Sequence, residues 1–289
     1  MKVKSFAKIN LGLEILRKRE DNYHEIRTLF QSIDFYDVLE FTEIDGNKII
    51  LFGNDNSIPW NENNLIFKAA SLLKNHCHID RGIEIKVKKQ IPPGKGLAGG
   101  SSNAALTFLA LNKIWNLNLS KWDLMNLAEQ LGADIPYFFY GGLALGLERG
   151  DEIHPLIEEN SFWVLLVLPD FSISTKEIYS HWSEATLTSK FKESKINKFL
   201  KERIYRSLEN DLEEIIFNLY PELKKIKQIL RDGEAELALV SGTGSSVYGL
   251  FKDKNKAQQA LAEFKNQNLK RKIVSTISRA KYGAEIGNF

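Results

Sequence analysis

The chain has 289 residues, enough for one large packed domain or two smaller ones. Its 43% hydrophobic and 26% charged residues are those of a globular protein, and 39 basic against 37 acidic residues leave a net charge of +2. That balance supplies no global field for nucleic acid or a membrane surface. Cys77 is the single cysteine, so no disulfide forms within the chain. The opening MKVKSFAKINLG lacks an apolar signal core, and the most apolar run, residues 162–168, is too short to span a bilayer. A soluble cytoplasmic protein is expected, a monomer or weak homodimer.

Alternation opens the chain. Ile9, Leu11, Leu13 and Ile15 fall on one face of a strand, and Lys8, Asn10, Gly12 and Glu14 on the other, which is taken as the non-core face. Residues 38–44 and 48–52, joined across Asp45-Gly46-Asn47, read as a hairpin. A helix is expected over 64–74, and the His76-Cys77-His78 cluster reads as its end rather than as half of a metal site. Ile83, Ile85 and Val87 alternate with charged residues in a strand that runs into a proline- and glycine-rich loop.

Beyond the loop, residues 102–115 are apolar all round, as in a buried helix. Ser120 with Asp123 makes a capping box for a helix over 121–131, stopped by Gly132. Strands follow at 143–147 and 162–168. The remainder alternates expected helices (195–206, 208–218, 221–230, 256–266) with expected strands (237–240, 247–251, 273–278). This is an α+β pattern, divided into domains 1–156 and 157–289.

The informative segment is Pro92, Pro93, Gly94, Lys95, Gly96, Leu97, Ala98, Gly99, Gly100, Ser101, Ser102. Its glycines let a backbone turn its N–H groups inward, and the following helix adds unpaired N–H groups and a positive dipole end. Two serine hydroxyls stand there to meet phosphate oxygens or magnesium. The result is an anion cradle. It is not a Walker A loop, because no lysine follows Gly100. Residues 94–99 do match G-x-G-x-x-G, but no ribose-binding acid stands at a suitable strand end.

Three separated segments resemble the signature motifs of the GHMP small-molecule kinases: Ala7-Lys8-Ile9-Asn10-Leu11, the loop from Pro92 to Ser102, and Ser241-Gly242-Thr243-Gly244-Ser245-Ser246. Asn22-Tyr23-His24-Glu25, Gln31-Ser32-Ile33-Asp34, the run from Gly99 to Ala105, and the run from Gly132 to Phe138 resemble the subgroup acting on 4-diphosphocytidyl-2-C-methyl-D-erythritol. The resemblance implies a ribosomal-protein-S5-like N-terminal domain with the ATP phosphate loop and a ferredoxin-like C-terminal domain. It also implies ATP and Mg2+ as cofactors, and transfer of the γ-phosphoryl to the substrate's 2-hydroxyl in the non-mevalonate route to isoprenoids. Ala98 and Asn22 stand where glycine is common; Asn tolerates left-handed geometry and Ala is small.

On that likeness Lys8 and Asp134 are the catalytic pair. Asp134 accepts the hydroxyl proton, and the Lys8 ammonium keeps Asp134 ionised. Asn10 orients either group. Tyr23 and His24 are the cytidine-binding pair, with Tyr179 on the other face of the base. Gly242, Gly244 and Ser245 line the substrate's phosphates. Lys89 is either a nucleotide contact or a solvated lysine, and Trp60 is a candidate for the adenine side.

Overall fold

The structure is a computed structural model that describes residues 1–182, 194–264, 269–287 and 289. Two antiparallel strands dominate the first half, β1 (Lys2–Lys18) and β2 (His24–Ile44), joined by a tight turn in which Asn22 is left-handed. β3 (Ile49–Gly53), β4 (Gly82–Lys88), β5 (Leu143–Leu147) and β6 (Glu152–Pro155) complete a six-stranded sheet of order β3-β4-β2-β5-β6, with β1 paired to β2.

The expected hairpin does not form. β2 pairs antiparallel with β4, and β3 pairs parallel with the far side of β4, Ile49 opposite Ile83. Burial explains the order. Ile83, Ile85 and Val87 of β4 are fully buried, whereas Ile50 and Phe52 of β3 are exposed, so the more apolar strand takes the interior place.

Helices α1 (Leu65–Cys77), α2 (Gly99–Ile114) and α3 (Lys121–Ala128) cover one face of this sheet. Asn64 caps α1, and Ser120 with Asp123 forms the expected capping box of α3. His76 and Cys77 lie in the last turn of α1 and His78 is its left-handed cap, as the helix-end reading anticipates. Among the described residues no cluster of three metal-ligating side chains occurs.

The second sheet is four-stranded and antiparallel. Its order is β10-β7-β9-β8, from β7 (Trp163–Leu168), β8 (Leu237–Val240), β9 (Val247–Phe251) and β10 (Lys270–Ser275). Helices α4 (Thr175–Ser180), α5 (Lys195–Glu202), α6 (Glu213–Leu219), α7 (Pro221–Asp232) and α8 (Lys254–Ala262) accompany it. The last residues of the helix expected over 256–266 lie outside the described residues. α9 (Arg279–Ile286), which the periodicity did not suggest, returns to the first half. There Tyr282 and Ile286 join the core of the six-stranded sheet, and the Tyr282 hydroxyl donates to the Phe138 carbonyl at 2.7 Å.

A middle core joins the two sheets. Ala7, Ile9 and Leu11 of β1 and Leu29 and Ile33 of β2 pack with Val164, Leu166, Leu239 and Tyr248 of the second sheet. The opposite face of β1, read from the alternation as the non-core one, is covered as well: Lys8 and Asn10 are each 3% exposed. A lysine buried so deeply requires partners.

Candidate active site

β4 leads into the glycine loop through a buried ion pair. Asp37 of β2 accepts from the backbone N–H groups of Gln90 and Ile91, at 2.7 and 2.8 Å, and from the Lys89 ammonium at 2.6 Å. Lys89 also donates to the Ile91 carbonyl. Its side chain is thus paired rather than solvated, 7% exposed, and it fixes where the loop starts.

From there the loop is held by its carbonyl oxygens. That of Lys95 accepts from Ser246 N, that of Gly96 from the Ser241 hydroxyl at 2.9 Å, and that of Leu97 from Lys8 N at 3.2 Å. The Lys95 ammonium is spent inward on the carbonyls of Pro169, at 2.7 Å, and Phe171. Gly96, at φ +72°, has no room for a side chain, because a Cβ there would overlap the Ser241 carbonyl. Ala98, left-handed at φ +52°, sits at the start of α2. With the carbonyls taken, no backbone N–H of residues 94–101 donates to protein among the described residues. This leaves a run of unspent donors at a helix N-terminus, an arrangement whose physics favours an anion. Of the two serines, Ser102 is fully buried and accepts from Ser5 at 2.7 Å, leaving Ser101 as the more accessible hydroxyl.

The second glycine loop, residues 241–246 between β8 and β9, closes on the same place. A Cβ on Gly242 would stand 3.1 Å from Asn10 Oδ1 and 3.8 Å from Lys8 Nζ. Asn210 donates to the carbonyls of Val240 and Gly242, at 3.0 and 2.7 Å. The Ser245 hydroxyl is turned away, donating to the Phe171 carbonyl at 2.6 Å. Gly244, at φ +88°, packs on Ile173 and Val240.

Lys8 and Asp134 meet. Lys8 Nζ lies 3.7 Å from Asp134 Oδ2 and donates to Asn10 Oδ1 at 2.7 Å. Asp134 follows α3 and precedes the short helical turn Pro136–Phe139, and its side chain is 41% exposed, so one partner of the pair is open and the other is not. Burial holds the Lys8 ammonium below the ordinary lysine range, and the Asp134 carboxylate opposes that shift.

The aromatic residues gather differently. His24 stacks on Tyr179 with centroids 4.9 Å apart, and Trp182 meets its edge at 4.7 Å. Burial lowers the His24 pKa, favouring the neutral ring, and raises that of Tyr179, which also feels Asp134. Tyr23 is 54% exposed and carries the Arg149 guanidinium over its ring at 5.1 Å. Tyr179 therefore covers one face of His24. Trp60 packs on Gly53 and donates to the Asp55 carbonyl, beside the edge strand β3. Sequence reasoning missed Asp37, Asn210, Arg149 and Trp182, whose roles come from contacts across the fold.

Two family models match the chain: the GHMP kinases N terminal domain over residues 64–142 and the GHMP kinases C terminal domain over residues 197–270. A 4-diphosphocytidyl-2-C-methyl-D-erythritol kinase of Thermoanaerobacter pseudethanolicus is 42% identical over 269 residues, 92% of each chain. The chain belongs to the GHMP kinases. A namesake from Thermodesulfovibrio yellowstonii is 41% identical over 90% of this chain and 93% of its own. The crystal structure of a 4-(cytidine 5'-diphospho)-2C-methyl-D-erythritol kinase superposes with a TM-score of 0.80 at 29% identity, covering 96% of this chain and 99% of that one. A homoserine kinase from Cytophaga hutchinsonii shares the fold, with a TM-score of 0.75 at 18% identity over 96% and 95%. This GHMP kinase is a small-molecule kinase that uses ATP, and its α+β architecture is the two-domain one the resemblance implied. No helix among its described residues is long and apolar enough to cross a membrane.

Proposed function

We propose that this kinase transfers the γ-phosphoryl of ATP to the 2-hydroxyl of 4-diphosphocytidyl-2-C-methyl-D-erythritol. The observation that carries the reading is the convergence of three distant segments on one lysine. Lys8 Nζ lies 3.7 Å from Asp134 Oδ2, its own backbone N–H holds the Leu97 carbonyl, and the Gly242 turn closes over it.

The N–H groups of residues 94–101 bind the phosphates and align the terminal phosphorus with the acceptor. Asp134, the accessible member of the pair, takes the proton of the 2-hydroxyl as its oxygen attacks. The bond from the γ-phosphorus to the bridging oxygen breaks, and ADP leaves. Lys8 stabilises charge on the acceptor and transferred oxygens from a dry position where its field is little screened. Magnesium brought in with ATP would neutralise phosphate charge. The residues suit a cation that keeps most of its waters, since no dedicated ligand cluster occurs among the described residues and the Ser101 hydroxyl is there to hold it. Tyr23, His24 and Tyr179 supply ring faces for the cytosine, and Gly242 and Gly244 border the phosphates.

The test is ADP release by the purified enzyme with ATP, magnesium and each candidate alcohol. Turnover with the diphosphocytidyl alcohol and none with homoserine or mevalonate is expected. Asp134→Asn should lower kcat by about 10^2-fold or more with ATP affinity retained. It should also move the alkaline limb of kcat/KM to lower pH, because the carboxylate that keeps Lys8 protonated is gone. An unchanged kcat in Asp134→Asn would remove the base from the mechanism.

A further inference from the structure

Beneath Lys8 and Asn10 lies a third side chain, Thr28 of β2, fully buried opposite Leu13 of β1. Its hydroxyl makes two hydrogen bonds. Thr28 Oγ1 is 2.8 Å from the Gly12 carbonyl and 2.8 Å from Asn10 Nδ2. A carbonyl only accepts, so the single hydroxyl hydrogen is committed to Gly12. Toward Asn10 the Thr28 oxygen can then only accept, and the amide must present its NH2 group to Thr28. The other end of the amide, Oδ1, is thereby turned to the Lys8 ammonium, 2.7 Å away.

We infer that Thr28 is a positioning residue for phosphoryl transfer. It sets the polarity of the chain Lys8–Asn10–Thr28–Gly12, so that an acceptor faces the buried ammonium. The inference rests on the reading of Lys8 as the stabilising cation. The ammonium has three donors. Asn10 takes one and Asp134 stands beside a second, which leaves the third for oxygens of the reacting groups. Among the described residues the charged group facing Lys8 is Asp134, and the Phe30 ring lies beneath the ammonium, 5.3 Å to its centroid. Without the constraint from Thr28 the amide can turn and bring its NH2 toward Lys8, an arrangement compatible only with the neutral amine. The protonated fraction of Lys8 would fall at a given pH.

Thr28→Val keeps the shape and removes the hydroxyl; Thr28→Ser keeps the hydroxyl. In the valine variant we expect kcat/KM to fall about tenfold, with ATP affinity unchanged, and its alkaline limb to move to lower pH. The serine variant should follow the wild type in both. A valine variant with the wild-type limb, or a serine variant as impaired as valine, overturns the inference. Should the valine chain not fold, Thr28→Cys, with its weak donor and acceptor, is held to the same two outcomes. Lys8→Met separates this from the mechanism itself: if that variant keeps its kcat, the role of Lys8 fails, whereas full loss there beside an unaffected Thr28→Val refutes the role of Thr28 alone.

Discussion

Around the glycine loop, the carbonyls of Lys95, Gly96 and Leu97 are each held by a donor from another part of the chain. At Tyr23, His24 and Tyr179 the contacts are ring on ring and guanidinium on ring. The first region is directional and closed on itself, and the ligand meets a surface already formed. The second is held by contacts that tolerate sliding, with Tyr179 stacked on His24. On the reading proposed above, the enzyme combines a pre-set phosphate cradle with an adjustable platform, which suits a site that must align a phosphorus tightly and only hold a nucleobase.

The contrast breaks first at Gly96. Gly96→Ala forces a methyl into the Ser241 carbonyl and an L-residue into φ +72°. The two loops must separate, and we expect a loss of about 3 kcal/mol in unfolding free energy together with weakened ATP binding. Chemical denaturation and nucleotide titration measure both. A stable variant with normal ATP affinity would mean that the cradle does not depend on the packing of the loops.

Lys89 tests the same region from its start. Lys89→Met leaves the Asp37 carboxylate buried with its two backbone donors but no cation, and should cost about 3 kcal/mol. If Lys89 only anchors the loop, KM for ATP in the folded fraction changes less than twofold or so. A large rise in that KM at unchanged stability would restore the nucleotide contact that the sequence left open.

On the platform side effects should be smaller and selective. Tyr23→Ala removes a stacking face worth about 1–3 kcal/mol, so KM for the cytidyl substrate should rise roughly tenfold while KM for ATP stays put. Equal effects on both would show that the ring supports the fold and not the base.

How much of this was legible in the sequence follows the same division. The capping box of α3, the four residues of β8, the five of β9 and the two glycine-rich turns are local patterns, and local patterns survive into the structure. Position within a sheet is not local. Residues 38–52 carry a plausible hairpin signal, yet β4 displaces β3 because its side chains bury better. The buried state of Lys8 was hidden for the same reason, since alternation marks the face that meets the second sheet and cannot reveal that Asp134, the Phe30 ring and the Gly242 turn close over the other. Asp37 reads as any acid in a strand until the loop brings two N–H groups and Lys89 to it. α9 was the avoidable omission, because Ser278 and Gly287 bracket it with an ordinary N-cap and a left-handed stop.

The smallest expected effect concerns Ala98, the alanine at the start of α2. Its φ of +52° is left-handed, a region where the methyl meets the neighbouring carbonyl at about 1–2 kcal/mol. Glycine removes that conflict but adds freedom to the unfolded chain, which returns part of the gain. Ala98→Gly should therefore stabilise the protein by no more than about 1 kcal/mol, seen as a modest rise in denaturation midpoint. Its value lies in the sign. The carbonyls before Ala98 are tied at Lys95, Gly96 and Leu97, and its own carbonyl accepts from Ser102 N at 2.9 Å, so the surrounding bonds impose the left-handed conformation on the residue. A loss of stability in Ala98→Gly would mean that the methyl's packing outweighs its backbone strain, and the cradle would owe its shape to side-chain contacts there as the aromatic platform does.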